Sequence, residues 1–235
     1  MYKISKKALI VFSFLFLLPA TCMALVTEQG TWRYKLTVTV ETPEGLKTGS
    51  AVREVHAFRY PTPFPEDPGA KARLTYGEAV VVDLGERGIL FALLTGAGFA
   101  ASDYSTRLPF WIFSSEEGAL SEESIRRFSK LKAGPVEIDP EWYPKFVFFN
   151  DINNPRTVSG ARARDLERDF GPGVKLKSIT LEMTEEAVTR GIVDKYIPWL
   201  DERAKLYGTI GGDPSKPLED PTGTWLNTGD FKRGN

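Results

Sequence analysis

A single histidine and a single cysteine limit the chemistry open to this chain of 235 residues. Any serine–histidine–aspartate triad has to use His56, and the sequence has no G-x-S-x-G nucleophile elbow. His56 shares its strand parity with Val52 and Phe58 and lies near Glu54, which is typical of a strand histidine near a sheet edge. We therefore expect no nucleophile–base pair within hydrogen-bond reach in a cleft. We also expect no cofactor and no metal site, and we assign no catalytic residue.

Paired carboxylates are the second chemistry to consider, because two of them can carry out acid–base catalysis on a polymer. Glu78 and Asp83 flank the apolar run AVVV. They are five residues apart, so in a regular strand they point to opposite faces and cannot share one cleft without a bulge. We expect them to be strand-end carboxylates. A small carboxylate-dependent hydrolase acting on an envelope polymer remains the alternative function.

Four other motifs match functional patterns in part, and an ordinary structural explanation is favoured for each. GAGFAA at 96–101 matches a dinucleotide fingerprint, but we do not expect the following DYSTRLPFWIF to be a helix. The S-x-x-K at 129–132 and the KTG at 47–49 stand in the reverse order of the serine penicillin-binding enzymes. DINN at 151–154 lacks the spacing of a calcium loop. Four arginines alternate with acids and predict a solvated helix face: Arg156, Arg162, Arg164 and Arg168.

The N-terminus has the layout of a secretory signal peptide over residues 1–24. Basic residues in the first seven positions precede an apolar core at 8–18, and small residues follow it. A cut after Ala24 places Cys22 at −3 and Ala24 at −1, and both are small enough for signal peptidase. This layout predicts a periplasmic or secreted protein.

Cys22 also offers a lipidation site, although Thr21 and Pro19 fit poorly beside a lipidated cysteine. An uncleaved anchor over residues 8–26 is the third alternative, since about 20 apolar residues span a bilayer. In either case the protein is membrane-anchored, through Cys22 or through the N-terminal helix. We expect membrane contact only through this segment.

The balance of acidic and basic residues indicates which class of binding partner to expect. The chain has 30 basic and 31 acidic residues and no block of like charge, so nucleic acid is not expected as a partner. The expected partner is a protein or another envelope component.

The alternation of apolar and polar residues makes the first predicted strand the clearest element in the sequence. In TWRYKLTVTVE at 31–41 the even-numbered residues from Trp32 to Val40 are apolar, so we expect them to be buried, with Arg33, Lys35 and Thr37 exposed. A turn at 42–49 and a second strand at 50–58 complete a hairpin. Apolar runs at 77–84 and 88–94 predict two central strands.

The second half predicts a mixture of helices and strands. Helices are expected at 121–131, capped by Ser121, at 161–170 and at 189–207. Strands are expected at 145–149 and at 174–183, where a change of parity predicts a bulge near Lys177-Ser178. The last residues, 209–235, predict an extended tail that packs on the surface through three apolar side chains: Trp225, Leu226 and Phe231.

Together these elements predict one α+β domain over residues 25–208. We expect a mostly antiparallel sheet of about six or seven strands with two or three helices packed on it. The alternative is a β-sandwich with helical insertions.

Three blocks of the sequence resemble a family of uncharacterised exported bacterial proteins: TVTVETPEGLKTGSAVREV, GEAVVVDLGERGILFALL and ITLEMTEEAVTRGIVDKYIPWL. The resemblance implies an envelope location and no particular activity. With the motifs above, it predicts a non-enzymatic binding or assembly module. Such a module needs an exposed apolar or aromatic patch, for which we expect Phe110, Trp111 and Phe113.

Overall fold

A computed structural model describes residues 28–64, 69–96, 101–114, 120–202, 210 and 226–234. In chain order its strands are β1 (Glu28–Thr42), β2 (Gly45–Arg59), β3 (Ala70–Glu78), β4 (Val80–Asp83), β5 (Ile89–Gly96), β6 (Val136–Glu137), β7 (Pro144–Phe149), β8 (Val158–Ala161), β9 (Lys175–Thr184) and β10 (Lys232–Arg233). The helices are α1 (Ala101–Phe113), α2 (Glu122–Phe128), α3 (Leu166–Phe170), α4 (Ile192–Tyr196) and α5 (Thr228–Phe231).

The long hairpin of β1 and β2 has the expected register. The two strands pair antiparallel from Glu28 opposite Arg59 to Thr42 opposite Gly45. Its even-numbered apolar residues are all buried: Trp32, Tyr34, Leu36, Val38 and Val40. Arg33, Lys35 and Thr37 are half-buried rather than exposed. Glu186, which follows β9, contacts two of them: Arg33 Nη1 donates to its carbonyl oxygen at 3.3 Å and Lys35 Nζ to its Oε1 at 2.8 Å. The orientation of the hairpin is therefore confirmed.

The predicted bulge in β9 is also confirmed. Thr39 of β1 lies opposite Ser178, whereas the next residue, Val40, lies opposite Leu176. Lys177 is thus the extra residue, and the insertion moves the buried side chains of β9 from even to odd numbers.

The strands form two antiparallel sheets, so the single sheet expected from the sequence is wrong although the α+β class is confirmed. The first sheet has the order β10-β3-β2-β1-β9-β6, and the second has the order β4-β5-β7-β8. The chain passes from one sheet to the other at Ala79, between β3 and β4. Because this residue is fully buried and no turn residue marks the crossing, the sequence reads as one continuous strand.

The four-stranded sheet is apolar on both faces. On one face Val80 and Val82 belong to the core cluster that includes the inner face of β1 and the apolar residues of α1 and α2. On the other face Val81 packs in a second cluster with Val193 of α4 and Phe231 of α5. This two-sided burial explains the uninterrupted valines of β4.

A buried polar group ties the two sheets together around Arg53, which has no exposed surface. The Arg53 guanidinium donates to the carbonyl oxygens of Glu78 and Leu93 and to Ser105 Oγ, each at 3.3 Å. Tyr34 Oη donates to the carbonyl oxygen of Ser105 at 2.6 Å, and burial raises the pKa of this phenol above its usual value. The group joins β2 to the β3–β4 junction, β5 and α1.

The C-terminal residues are built into the domain. Residues 226–234 form α5 and the edge strand β10, which pairs with β3 through Lys232 opposite Glu78. Leu226 and Phe231 are buried in the second core cluster, so this part is folded rather than extended. Trp225 lies outside the described residues.

The helix predictions hold in part. α2 begins after Ser121, whose Oγ accepts from the Ser124 amide at 3.0 Å, as predicted. The helix expected at 161–170 is wrong over its first half, because Ala161 ends β8 and only 166–170 are helical. For the helix expected at 189–207, the described residues up to 202 are helical in α4 and at 200–202, with a turn at Pro198 between them. Residues 203–207 lie outside the described residues.

Candidate functional site

The aromatic patch expected at Phe110, Trp111 and Phe113 is not the exposed surface that the sequence predicted. Phe110 is only 3% exposed and packs against Phe128 with ring centroids 4.2 Å apart. Trp111 is half-buried and stacks on Trp142 with centroids 4.5 Å apart. Phe113 is half-buried as well. These side chains are core or core-margin residues of α1, and this corrects the prediction.

A different part of the described structure offers a concave surface. A cleft of about 710 Å³ opens where β9 ends and the first residues of β1 lose their partner on that side. We call it the edge cleft. It is lined by residues of β1 and β2, by the end of α2 with the segment that follows it, and by the end of β9 with the next residue: Thr31, Trp32, Arg33, Glu54, Phe128, Ser129, Lys130, Leu131, Lys132, Met183, Thr184 and Glu185.

The lining of the edge cleft includes four apolar side chains. Trp32, Phe128 and Met183 belong to the main core cluster, and Leu131 packs against that cluster. Trp32 and Phe128 are in contact, with centroids 5.6 Å apart. Because these residues are held by the core, the apolar part of the cleft is formed before any ligand arrives.

Charged residues also line the cleft, and they form ion pairs. Arg33 Nε lies 2.8 Å from Glu54 Oε2, and Lys132 Nζ lies 3.0 Å from Glu185 Oε1. Glu54 is the better shielded carboxylate, with its side chain 12% exposed, whereas Glu185 is 83% exposed. Lys130 has no ion-pair partner in the part of the chain that the structure describes. The cleft thus combines apolar surface with fixed charges, and this combination suits recognition of an amphipathic group.

The S-x-x-K motif lies in the edge cleft but is not arranged as a nucleophile and its base. Ser129 Oγ donates to the Ile125 carbonyl at 2.8 Å, as a serine at a helix end commonly does. Lys132 is paired with Glu185 instead of reaching the serine. The ordinary structural explanation is the one that these contacts support.

His56 contacts a hydroxyl, but not in the arrangement of a nucleophile and its base within a cleft. Thr31 Oγ1 and His56 Nδ1 share a hydrogen bond of 3.1 Å across β1 and β2, and Thr31 lines the cleft. No described side chain bonds the other ring nitrogen, and the ring instead stacks near Phe58 at 5.9 Å. The pair is a cross-strand contact on an exposed face, without the third group that orients a catalytic base.

Glu78 and Asp83 lie away from the cleft, and both hold α4. Glu78 is 1% exposed and accepts hydrogen bonds from the amides of Gly191 and Val193, the latter at 3.0 Å. Asp83 Oδ2 accepts from Tyr196 Oη at 3.1 Å. Their role in these contacts is structural, as predicted for strand-end carboxylates.

The remaining motifs are also explained locally. A helix, α1, does follow the GAGFAA segment, so that expectation is wrong; however, β5 is paired only antiparallel, unlike the strand of a dinucleotide fold. Asp151 Oδ1 accepts from the Asn153 amide at 3.0 Å, which is a simple turn. Arg162 and Arg164 precede α3, so the expected arginine face does not form on one helix.

Comparison with protein-family models, with curated proteins and with solved structures found no match. Among the described residues there is no group of three or more metal-binding side chains, and no described helix is long and apolar enough to cross a membrane. Cys22 and the whole expected signal peptide lie outside the described residues. The site is therefore defined by its geometry alone.

Proposed function

We propose that this protein is an exported, non-enzymatic binding module of the bacterial cell envelope, and that the edge cleft is its binding site. The observation that carries the proposal is the lining of the cleft, in which a preformed apolar surface adjoins the Arg33–Glu54 pair. Its expected ligand is a protein or another envelope component, as the resemblance to exported bacterial proteins suggests.

A carboxylate-dependent hydrolase is the second candidate, because Glu54 and Glu185 both line the cleft. Each of these carboxylates is already engaged by a cation, Arg33 or Lys132. Hydrolysis of a glycosidic bond needs two carboxyl groups that face the scissile bond, one of them as the general acid for the leaving oxygen. These contacts support binding over hydrolysis.

The test uses isolated envelope material and two matched pairs of substitutions. The full chain is mixed with purified peptidoglycan sacculi and, separately, with membranes; sedimentation measures binding and a reducing-end assay measures cleavage. The variant Arg33→Ala/Glu54→Ala removes the pair at the cleft. The variant Arg87→Ala/Glu44→Ala removes a comparable pair at the far end of the hairpin, where Arg87 Nη2 lies 2.9 Å from Glu44 Oε1.

We expect the parent chain to sediment with one of the two fractions without releasing reducing ends. The cleft variant should bind about tenfold more weakly, the loss typical of a charge-assisted contact, while the control should bind as the parent does. Release of soluble reducing ends by the parent, abolished in the cleft variant, would instead establish the hydrolase.

Export is tested separately by the intact mass of the mature protein. A mass that corresponds to an unmodified chain beginning at Leu25 is expected if Cys22 leaves with the signal peptide. A chain that begins at Cys22 with added lipid mass would show the anchored form, and two or more acyl chains suffice for stable anchoring. Retention of residues 1–24 would show the uncleaved anchor.

A further inference from the structure

The outer face of the six-stranded sheet carries an unusual set of side chains next to the edge cleft. β1 contributes small polar groups, β2 contributes aromatic rings, and β3 contributes cations, in three adjacent strands. In the strand register Thr31, His56 and Arg73 form one row, and Gln29, Phe58 and Lys71 form the next. We call these six residues the outer patch. Because Thr31 also lines the edge cleft, the two surfaces are continuous.

The aromatic rings of β2 form a ridge that continues to Tyr60. The centroids of His56 and Phe58 are 5.9 Å apart, and those of Phe58 and Tyr60 are 6.2 Å apart. All three side chains are half-buried, so they present a low apolar ridge rather than projecting rings.

Cations follow one side of the ridge. Lys71 and Arg73 are exposed, and Lys71 Nζ lies over the Tyr60 ring at 5.2 Å from its centroid. Further along, the Arg190 guanidinium lies over Tyr76 at 4.2 Å. Glu54 of β2 lies beside the patch and is engaged by Arg33. Two exposed cations therefore border the ridge on a chain whose net charge is −1.

We propose that the outer patch binds an acidic polysaccharide, a sugar chain with carboxylate groups along one side. The apolar faces of the sugar rings would pack on the ridge, the hydroxyl groups would bond to Gln29 and Thr31, and the carboxylates would pair with Lys71 and Arg73. This inference rests on the proposed binding function, because it names the ligand class that reaches the edge cleft along this face.

The arrangement favours a sugar chain over single-stranded nucleic acid. Base stacking requires aromatic rings with open faces. In the ridge, neighbouring ring centroids lie 5.9 and 6.2 Å apart and Lys71 lies over Tyr60, so the half-buried rings form one low surface rather than a series of separate projecting rings. A sugar chain needs only a continuous apolar surface with hydrogen-bonding groups and cations at its sides, and the three strands supply these.

The test measures the affinity of the full chain for polygalacturonate, with dextran as an uncharged chain and oligo-deoxythymidine as a nucleic acid. Lys71→Ala/Arg73→Ala removes the cations of the patch. Lys175→Ala/Lys177→Ala is the matched control, because these exposed lysines lie at the opposite end of the same sheet. Circular dichroism confirms that both variants are folded, and size-exclusion chromatography follows the length of the polygalacturonate.

We expect the parent to bind polygalacturonate and not dextran, with an affinity that falls as salt is added. The patch variant should lose about tenfold or more in affinity, and the control should stay within about twofold of the parent. Equal losses in the two variants, or tighter binding of oligo-deoxythymidine than of polygalacturonate, would overturn the inference.

The two proposals fail in different ways. If the patch variant binds polygalacturonate as well as the parent does, the inference fails, while binding of envelope fractions through Arg33 and Glu54 can still be observed. If the parent shortens the polygalacturonate, the non-enzymatic function fails, while the loss of affinity in the patch variant still locates the ligand.

Discussion

Arg33 and Arg53 lie one row apart on the two strands of the same hairpin but on opposite faces of the sheet. Their contacts differ because one face is buried and the other borders solvent. Arg53 points inward, has no exposed surface, and donates to two carbonyl oxygens and a serine hydroxyl. Arg33 points outward, keeps 37% of its side chain exposed, and pairs with Glu54 beside the edge cleft. The same residue type therefore supports the fold in one case and offers a contact to a ligand in the other.

The inward arginine differs from an ordinary buried charge. Its acceptors are neutral groups on β3, β5 and α1, so the interaction joins two sheets and a helix rather than neutralising an acid. The outward arginine keeps 37% of its side chain in solvent, and an ion pair with an exposed partner contributes little to folding. We infer that Arg53 serves the stability of the fold and that Arg33 is available for recognition.

The largest expected effect is the loss of stability on removing Arg53. Arg53→Met should lower the free energy of unfolding by about 3 kcal/mol or more, because it leaves buried acceptors without donors. Arg33→Met should lower it by less than about 1 kcal/mol. Urea unfolding of both variants measures the difference. Equal losses of stability would show that the two arginines do not differ in their contribution to the fold.

A second pair of substitutions compares the stability contributed by a buried carboxylate with that contributed by an exposed one. Glu78→Gln keeps the shape but weakens the acceptor for two amides at the start of α4, so we expect a loss of about 1–3 kcal/mol. Asp83→Asn, on the exposed side, should cost less than about 1 kcal/mol. Amide exchange at 191 and 193 should quicken in the first variant alone; no change there would show that Glu78 does not hold α4.

The smallest effect concerns pH at the C-terminal strand, where Lys232 is buried beside Asp194 and Asp201. Burial lowers the pKa of Lys232, but its hydrogen bonds to the two carboxylates outweigh this, so the pKa is raised above 10.5. The folded state thus holds the proton more tightly than the unfolded state. The resulting stability is complete below pH 10.5 and is lost as the pH rises through the folded value.

Urea unfolding of the parent and of Lys232→Met across this alkaline range isolates the contribution of Lys232 to the free energy of unfolding. Tyr34 and Tyr104 also have raised pKa values, chiefly through burial, so the parent loses stability there for more than one reason. The parent should lose more stability than the variant as the pH rises above 10.5. Parallel losses would show that Lys232 contributes nothing.

The β1–β2 hairpin and the bulge in β9 were predictable because both depend on local alternation. Five apolar residues at even positions fix the face of β1, and the change of parity in β9 fixes the bulge at Lys177. Even Arg53 left a signal, since it shares its parity with the buried Ala51 and Val55. An arginine at a position of apolar parity is a local pattern that indicates a buried hydrogen-bonding site.

The division into two sheets and the edge cleft could not be predicted in this way. The crossing at Ala79 carries no glycine or proline, and the cleft joins four segments that are distant in sequence: 31–33, Glu54, 128–132 and 183–185. Phe110 was placed on the surface because no helix was expected at 101–113, so no side of this segment was assigned to the core. These features depend on tertiary packing, which local patterns do not contain.

The central claim is that the ligand binds only at the open end of the β1–β2 hairpin, where the first residues of β1 pair with the last residues of β2, and at the neighbouring segments. Hydrogen–deuterium exchange of the full chain, with and without polygalacturonate, tests it most directly. We expect slower exchange at residues 29–33, 54–60 and 71–73, with no change at the threonine-rich end around 39–48. Protection at that far end, or no protection anywhere, would contradict the account.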